Sequence, residues 1–291
     1  MEAFGTATSV LSVASLFNNC VIWFEYIQLG RHFARDYERC QLKLDIAKTR
    51  LSRWGEAVKI NEDQRFATHE PFDTTCQQVQ AILEEIDQLF GTLQKSSKRY
   101  VIGAKPEDLE LCQVQDMRPM AQKLHNRLHK VVSQRQKRTG FFKKAAWALY
   151  DAKNFDKLLG QITGFIDDLE KLFPAEPARH TLVEMEIEEI KEDEPSLQAV
   201  QDAANDIDPA MSEVVADRLK ILGGHNSASD VQAEETARVL IGNGWTDAAL
   251  ANIGVGVSEP TQNRADKVIA RGSSSVMIGN NHGGRGFWDS R

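Results

Sequence analysis

Two histidines at helical spacing are the residues best suited to share a metal ion. His125 and His129 stand four positions apart, so on a helix both rings would face the same side. A metal site needs further nitrogen, sulfur or carboxylate ligands, and the surrounding sequence offers mainly Arg127 and Lys130. The four cysteines are widely spaced and include no CxxC pair: Cys20, Cys40, Cys76 and Cys112. We therefore predict no metal site, and reduced thiols typical of an intracellular protein.

Motifs for catalysis or cofactor binding are missing as well. The sequence has no P-loop and no GxGxxG, and its glycine-rich pieces at 254–256 and 283–286 lack the strand-then-helix context of phosphate-binding loops. The serines near the C-terminus have no accompanying base. A net charge of −7 argues against a dedicated nucleic-acid binder. The chemistry of the chain therefore predicts neither an enzyme nor a cofactor.

The most informative feature is an 18-residue stretch that occurs twice. Residues Asn226–Asn243 read NSASDVQAEETARVLIGN, and residues Asn263–Asn280 read NRADKVIARGSSSVMIGN, 37 positions later. Eight of the 18 positions are identical. At two others the charge is reversed, with Asp230 matched by Lys267 and Glu234 by Arg271. Opposite charges pair when strands lie side by side in register, so the pattern predicts that the copies stack in parallel.

The apolar residues of the repeats support stacked strands. Ala237, Val239 and Ile241 alternate with other residues at period two, as do Ser274, Val276 and Ile278 in the second copy, while Val231 and Val268 add one inward position each. Stacking would also place Asn226 over Asn263 and Asn243 over Asn280 as amide ladders. Such a stack has open edges and grows by adding molecules. With so few large apolar residues, we expect the tail to be disordered in the monomer.

The residues before the tail predict an all-α fold, a helical bundle over residues 1–222, with the repeat-containing tail spanning 218–291. Polar residues and Pro71 indicate a loop over 61–74, and Leu109, Leu111 and Val114 suggest a small strand. Asp208 and Pro209 supply an N-cap and a first-turn proline for the last helix. Apolar periodicity predicts helices over Gly30–Ile60, Thr75–Tyr100, Pro119–Val132, Phe141–Tyr150, Asn154–Phe173, Ser196–Ala204 and Pro209–Leu222.

Ala3–Leu29 is apolar and carries a single charge, Glu25. It is long enough for the roughly 20 helical residues that cross a bilayer, but several Ser, Thr and Asn residues dilute it. Its large apolar residues lie close to one helical face: Val10, Phe17, Val21 and Phe24. The segment is either a buried helix of the bundle or a membrane segment that inserts only under some conditions, and the two are compatible if its environment changes.

Charge is distributed unevenly along the bundle. Residues 118–144 hold nine Lys or Arg and no acid, which fits either a solvated helix face or a surface that contacts anionic lipid. The acidic run Glu184–Glu194 fits a solvated face that balances the basic one.

Several stretches together resemble the HET-s/HET-S incompatibility proteins of filamentous fungi. They are LFNNC at 16–20, the run from Phe24 to Asn61, AAWALYD at 145–151, both repeats and GGRGFWD at 283–289. The resemblance implies a HeLo domain with pore-forming capacity, then a prion-forming domain that is disordered in the soluble protein and a two-layer β-solenoid in the amyloid. Phe287 and Trp288 would belong to a loop over the solenoid. Its core would hold Ala228, Val231, Ala237, Val239, Ile241, Ala265, Val268, Val276 and Ile278.

The resemblance also implies a mechanism. A templating amyloid, or a NOD-like receptor with a related motif, would convert residues 226–280, disturb the last bundle helix and release Ala3–Leu29 into a membrane. The partners are then further copies of the chain, such a receptor and lipid, with a cytoplasmic soluble form and a membrane-bound active form. Ile22 and His32 match the toxic type of the family, which favours the pore-forming form over one that only propagates the prion or acts as a scaffold.

Overall fold

The protein is described by a computed structural model. Two compact units, Met1–Val215 and Ala216–Arg291, divide the chain. The residues that the structure describes are 11–67, 73–136, 145–190, 193–222, 226–242, 244–245 and 263–282.

Helices make up most of the first unit, as the sequence predicts. Five of them are preceded by an aspartate or serine whose side chain accepts a hydrogen bond from the first turn: Ser12, Asp73, Asp151, Asp193 and Asp208. The helices are α1 Val13–Trp23, α2 Tyr37–Ala57, α3 Gln64–Ala67, α4 Thr74–Gly103, α5 Pro119–Arg135, α6 Ala152–Leu172, α7 Glu176–Ile190, α8 Glu194–Ala204 and α9 Pro209–Leu222.

Helix α2 is the centre of the bundle. It packs against α5, α6, α7 and α8, so it is buried on more than one side. Leu51 and Trp54 are fully enclosed, and even Arg50 and Arg53 are among its buried residues. A helix buried this broadly must find partners for its charges inside the protein.

Two short strands interrupt the helical pattern. Trp147–Leu149, here β2, pairs in parallel with β1, Ile27–Leu29. The helix predicted over 141–150 is therefore wrong in its described part, and residues 137–144 lie outside the described residues. All three residues of β2 are buried, and a short, fully buried run does not distinguish a strand from a helix by its periodicity.

Some predicted boundaries also shift. Helix α2 starts at Tyr37, because residues 24–33 are used for β1 and two short 3-10 turns. The loop over 61–74 contains α3, whose Phe66 is fully buried and meets the edge of the Phe173 ring at 5.6 Å between centroids. The small strand near Leu111 is reduced to one antiparallel bridge with Gly30.

The second unit consists of paired β-strands, all parallel. Strand β3 (Asn226–Ser229) pairs with β7 (Asn263–Asp266), β4 (Gln232–Ala233) with β8 (Ile269–Ala270), and β5 (Arg238–Ile241) with β9 (Ser275–Ile278). Strand β6 (Gly244–Trp245) pairs with β10 (Asn281–His282). Every pair joins residues 37 positions apart. In the described residues, the two repeats are thus paired strand on strand in the parallel register that the sequence predicts.

Candidate functional site

The backbone of the two repeats turns at equivalent positions. Asp230 and Lys267 have positive φ values of 63° and 58°, and Gly242 and Gly279 have values of 133° and 141°. A third turn falls at Glu235 and Thr236 in the first copy and at Gly272 and Ser273 in the second. Each copy therefore turns three times and follows the course of the other, so the fold of one layer is repeated in the next.

Backbone hydrogen bonds join the layers. Gly242 N donates to the Ile278 carbonyl at 2.8 Å, and Gln232 N donates to that of Val268 at 3.1 Å. Donors alternate along a parallel strand, so the N–H groups of Val239 and Ile241 point away from the second copy. Among the residues that the structure describes, β5 pairs with β9 alone, so these N–H groups lie on an edge where another strand can add.

The side chains assigned to the solenoid core are only partly covered. Ala228, Val231, Ala265 and Val268 are half-buried, as are Ala237, Val239, Val276 and Ile278, while Ile241 is 37% exposed. Sequence reasoning omitted Ala270, which is only 3% exposed. The sequence does contain an indication that this position is buried, because Ala233 and Ala270 are identical residues at matching positions of the repeats.

The charged residues of the repeats lie at the surface. Asp230, Lys267, Glu234 and Arg271 are all exposed, and none of them takes part in an ion pair within 4.0 Å among the residues that the structure describes. The backbones of the two copies are in register on either side of these positions. The reversed charges therefore occupy matching places without direct contact in this single chain.

The structure describes three of the four asparagines that were predicted to form ladders. The backbones of Asn226 and Asn263 are aligned by the pairing of β3 with β7. Asn280 follows β9 and is exposed. Asn243, Phe287 and Trp288 lie outside the described residues.

Helix α1 carries most of the candidate membrane segment, and it is buried in the bundle. Val21 is fully covered, and Phe17 packs on Trp54 with their ring centroids 5.9 Å apart. Phe24, just after the helix, meets the edge of the Phe90 ring at 5.1 Å. Ile22 is half-buried and His32 is exposed. Val10 lies outside the described residues.

Polar residues tie α1 to its neighbours. Asn18 donates from Nδ2 to Asn61 Oδ1 at 2.7 Å, and both Asn19 Nδ2 and Trp23 Nε1 donate to Asp87 Oδ1 at 2.6 Å. The asparagines that make this segment a poor membrane span therefore satisfy hydrogen bonds inside the bundle. Among the described helices, none is both long enough and apolar enough to cross a membrane.

His125 and His129 both lie beside acids that are distant in the sequence. His125 Nδ1 is 2.7 Å from Asp45 Oδ2, and His129 Nε2 is 3.8 Å from Glu25 Oε1, which corrects the expectation that no acid is near. The hydrogen bond with Asp45 raises the pKa of His125, whereas burial, followed by the charge of Lys48, lowers that of His129. In the described part of the chain, no three His, Cys, Asp or Glu residues are arranged to hold a metal.

The basic and acidic runs of the bundle meet each other. Lys130 of α5 lies 3.2 Å from Glu189 of α7, and Arg135 Nη1 lies 2.6 Å from Glu186 Oε1. Two of the nine basic side chains are thus paired with the acidic run, in line with the balancing role predicted for residues 184–194. Residues 137–144, which hold four of the nine basic side chains, lie outside the described residues.

Comparison with known proteins identifies the family. A family model described as "HeLo: Prion-inhibition and propagation" matches residues 5–200, and one described as "Het-s 218-289" matches residues 218–283. Heterokaryon incompatibility protein s of Podospora anserina is 53% identical over 289 residues, which cover 99% of each chain. The chain belongs to the HET-s/HET-S family. Heterokaryon incompatibility protein S of the same species is 52% identical over the same length and coverage.

Solved structures of HET-s/HET-S proteins match the bundle. A double mutant of the HET-s N-terminal domain is 56% identical and covers 72% of this chain and 99% of its own, with a TM-score of 0.70. The HET-S N-terminal domain is 55% identical, covers 73% and 95%, and has a TM-score of 0.71. The family models also draw attention to α9, since residues 218–222 lie both in this helix and in the range of the C-terminal model.

Proposed function

We propose that the protein is an amyloid-triggered, membrane-active effector of fungal cell death, and not an enzyme. In this proposal, the repeats are converted by a template, which is either an existing fibre or a NOD-like receptor that carries a related motif. Conversion then releases residues 3–29 from the bundle into a lipid membrane. The soluble form is cytoplasmic and the activated form acts at the cell membrane.

The observation that carries the proposal is the incomplete burial of the apolar side chains in the two layers. Ile241 and Ile269 are 37% and 50% exposed, and the assigned core side chains are at best half-buried. Burial of apolar area contributes about 25 cal/mol per Å², so each added copy that covers these side chains stabilises the stack. The open N–H groups at Val239 and Ile241 give such a copy a place to pair.

Helix α9 supplies the connection between the tail and the bundle. Its first part, with Met211 and Val215 fully buried, belongs to the first unit, and residues 216–222 belong to the second. A chain that is drawn into strands from residue 218 onward must unwind the end of this helix. Short helices depend on tertiary packing for their stability, so loss of the last turns weakens the rest of α9.

The packing of α1 in the bundle explains why this helix must be released before it can insert into a membrane. This helix has 11 residues and would span about 16 Å at 1.5 Å per residue, about half of the ~30 Å hydrocarbon core. The apolar side chains of α1, among them Phe17 and Val21, are buried in the bundle, so they can face lipid only after the helix has left it. Membrane entry is therefore incompatible with the described bundle, and a trigger is required.

Leakage of dye from anionic lipid vesicles tests the proposal. We expect the full-length protein to release dye only when seeded with fibres of residues 218–291. Ile22→Asp should form fibres normally but leak little dye, because a charge in the bilayer centre costs about 2.5–3.5 kcal/mol, whereas Ile22→Val should leak like the wild type. Seeded wild-type protein that forms fibres without leakage would support the alternative, a protein that only propagates the prion or acts as a scaffold.

A further inference from the structure

A pair of arginines on α2 holds the residues where α9 begins. Arg53 is 1% exposed and grips Asp208 through two contacts, Nη2 to Oδ2 at 2.6 Å and Nη1 to Oδ1 at 3.1 Å. One turn earlier on α2, Arg50 donates from Nη1 to the carbonyl of Ile207 at 2.9 Å. Bidentate contacts between arginine and a carboxylate are strong and directional.

Asp208 has a second role in the same helix. Its Oδ1 accepts a hydrogen bond from the backbone N of Met211 at 3.2 Å and so caps the first turn of α9. The side chain is fully buried. Burial favours the neutral acid, but the charge of Arg53 outweighs it and the pKa of Asp208 is lowered. One carboxylate therefore both starts α9 and fastens it to α2.

Both arginines keep other partners if α9 leaves. Arg53 also binds Glu186 of α7, with Nη2 and Oε2 2.7 Å apart. Arg50 also binds Asp167 and Glu170 of α6, each at 2.7 Å. Removing the sole partner of a buried charge is strongly destabilising. Here that penalty is avoided, so the contacts to Ile207 and Asp208 can open while the rest of the bundle stays paired.

We propose that Arg50, Arg53 and Asp208 form a latch that holds α9 on the bundle, and that opening this latch is the step that lets α9 go. This inference rests on the proposed function, in which release of α9 transmits conversion of the tail to the bundle. The contacts themselves hold α9 in the soluble protein, whether or not the tail is converted. The strength of the latch then sets how readily α9 leaves the bundle.

Amide hydrogen exchange of the soluble full-length protein tests the latch. Asp208→Asn keeps a capping oxygen but removes the charge-assisted contact with Arg53, so we expect exchange in residues 209–222 to accelerate on the order of tenfold or more. Asp167→Asn is the matched control, because it also removes one of two carboxylates from an α2 arginine, but Asp167 lies on α6 and the contact of Arg50 with Ile207 stays in place. It should leave exchange in α9 unchanged.

A second variant covers the case in which Asp208→Asn does not fold. Arg50→Lys keeps a positive charge beside Glu170. The lysine ammonium, however, cannot replace the planar guanidinium group, which also donates a hydrogen bond to the Ile207 carbonyl. We expect exchange to accelerate more in α9 than in α6, because the ammonium can still pair with Glu170 there, and by a smaller factor than in Asp208→Asn. Unchanged exchange in α9, or equal acceleration across α2, α6 and α9, would overturn the latch.

Vesicle leakage keeps the two proposals distinguishable. If α9 exchange rises in Asp208→Asn and seeded leakage becomes faster, both proposals are supported. If α9 exchange rises but the seeded wild-type and variant proteins leak no dye, the latch stands and the membrane function fails. A normal α9 in Asp208→Asn together with seeded leakage from the wild type would reject the latch and leave the function intact.

Discussion

Gly279 lies almost against Gly242, its counterpart in the other repeat. A Cβ built on Gly279 would be 1.9 Å from the Gly242 carbonyl oxygen, and its φ of 141° is one that few residues other than glycine adopt. The two layers can therefore approach at this turn because residue 279 is a glycine. Its counterpart Gly242 shares the positive φ, 133°, so the same backbone turn is repeated in both copies.

Gly279→Ala should block conversion of the repeats. The added methyl group cannot fit against the Gly242 carbonyl, so the layers separate at this turn and we expect no seeded fibres by thioflavin fluorescence. Gly272→Asn is the control, because Gly272 also has a positive φ, 52°, but an added Cβ meets nothing within 4 Å. Asparagine tolerates such a φ, so this variant should still form fibres. Normal seeding by Gly279→Ala would mean that the described stacking is not that of the fibre.

Reversal of one repeat charge should slow fibre growth. In a stack of copies, Lys267 would lie between Asp230 residues above and below, so Lys267→Glu creates a column of like charges. We expect longer lag times, most clearly at low salt, where charges are screened least. Adding Asp230→Lys should restore much of the rate, because the charges then alternate again.

Arg264→Glu provides the matched control for this charge experiment. It changes the net charge by the same amount, but its partner in register is the neutral Ser227. Its lag time should change less than that of Lys267→Glu. Equal delays in both variants, with no rescue by Asp230→Lys, would show that net charge matters and the register of the charges does not.

A single methyl group added at Gly55 should weaken the packing of α1 against α2. A Cβ built on Gly55 would lie 2.1 Å from the Phe17 ring, so Gly55→Ala should push α1 off α2 and lower the free energy of unfolding by about 1–3 kcal/mol. Gly91→Ala, where an added Cβ meets nothing within 4 Å, should be neutral or stabilising by up to about 1 kcal/mol. Urea denaturation measures both changes. Equal stability of the two variants would contradict the described packing of α1.

The His125–Asp45 contact predicts a pH dependence with a definite sign. The pKa of His125 is raised in the folded protein, so its stabilisation is complete below the unfolded value of about 6.5 and is lost as the pH rises through the folded value. His125→Gln should therefore cost more stability at pH 6 than at pH 9. His129, whose pKa is lowered, should behave oppositely, with His129→Gln costing more at high pH. Parallel pH profiles for the two variants would refute the assignment.

Much of this organisation is visible in the sequence because its signals are local. Capping residues such as Asp208, the apolar stripes of the helices and the 37-residue offset of the repeats can all be read directly. The paired strands repeat this offset residue by residue, from Asn226 opposite Asn263 to Ile241 opposite Ile278.

Other features depend on residues that are distant in the chain. Nothing near Arg53 in the sequence indicates that it is buried, since arginine is usually exposed, and its partners Glu186 and Asp208 follow more than 130 positions later. The pairing of Ile27–Leu29 with Trp147–Leu149 is hidden for the same reason. Sequence patterns predicted most of the long helices and the pairing of the repeats, but the polar contacts that fix α1 and α9 arise only when the elements pack.

In the proposed function, conversion of the tail frees α1 from the bundle. The most direct test of this release is amide hydrogen exchange of residues 13–23 in the full-length protein, measured before and after seeding in the absence of vesicles, with the chain truncated after residue 222 as the control. We predict that α1 loses protection as fibres form, while the truncated chain keeps its protection in the presence of the same seeds. Fibres in which α1 remains as protected as in the soluble protein would contradict the account.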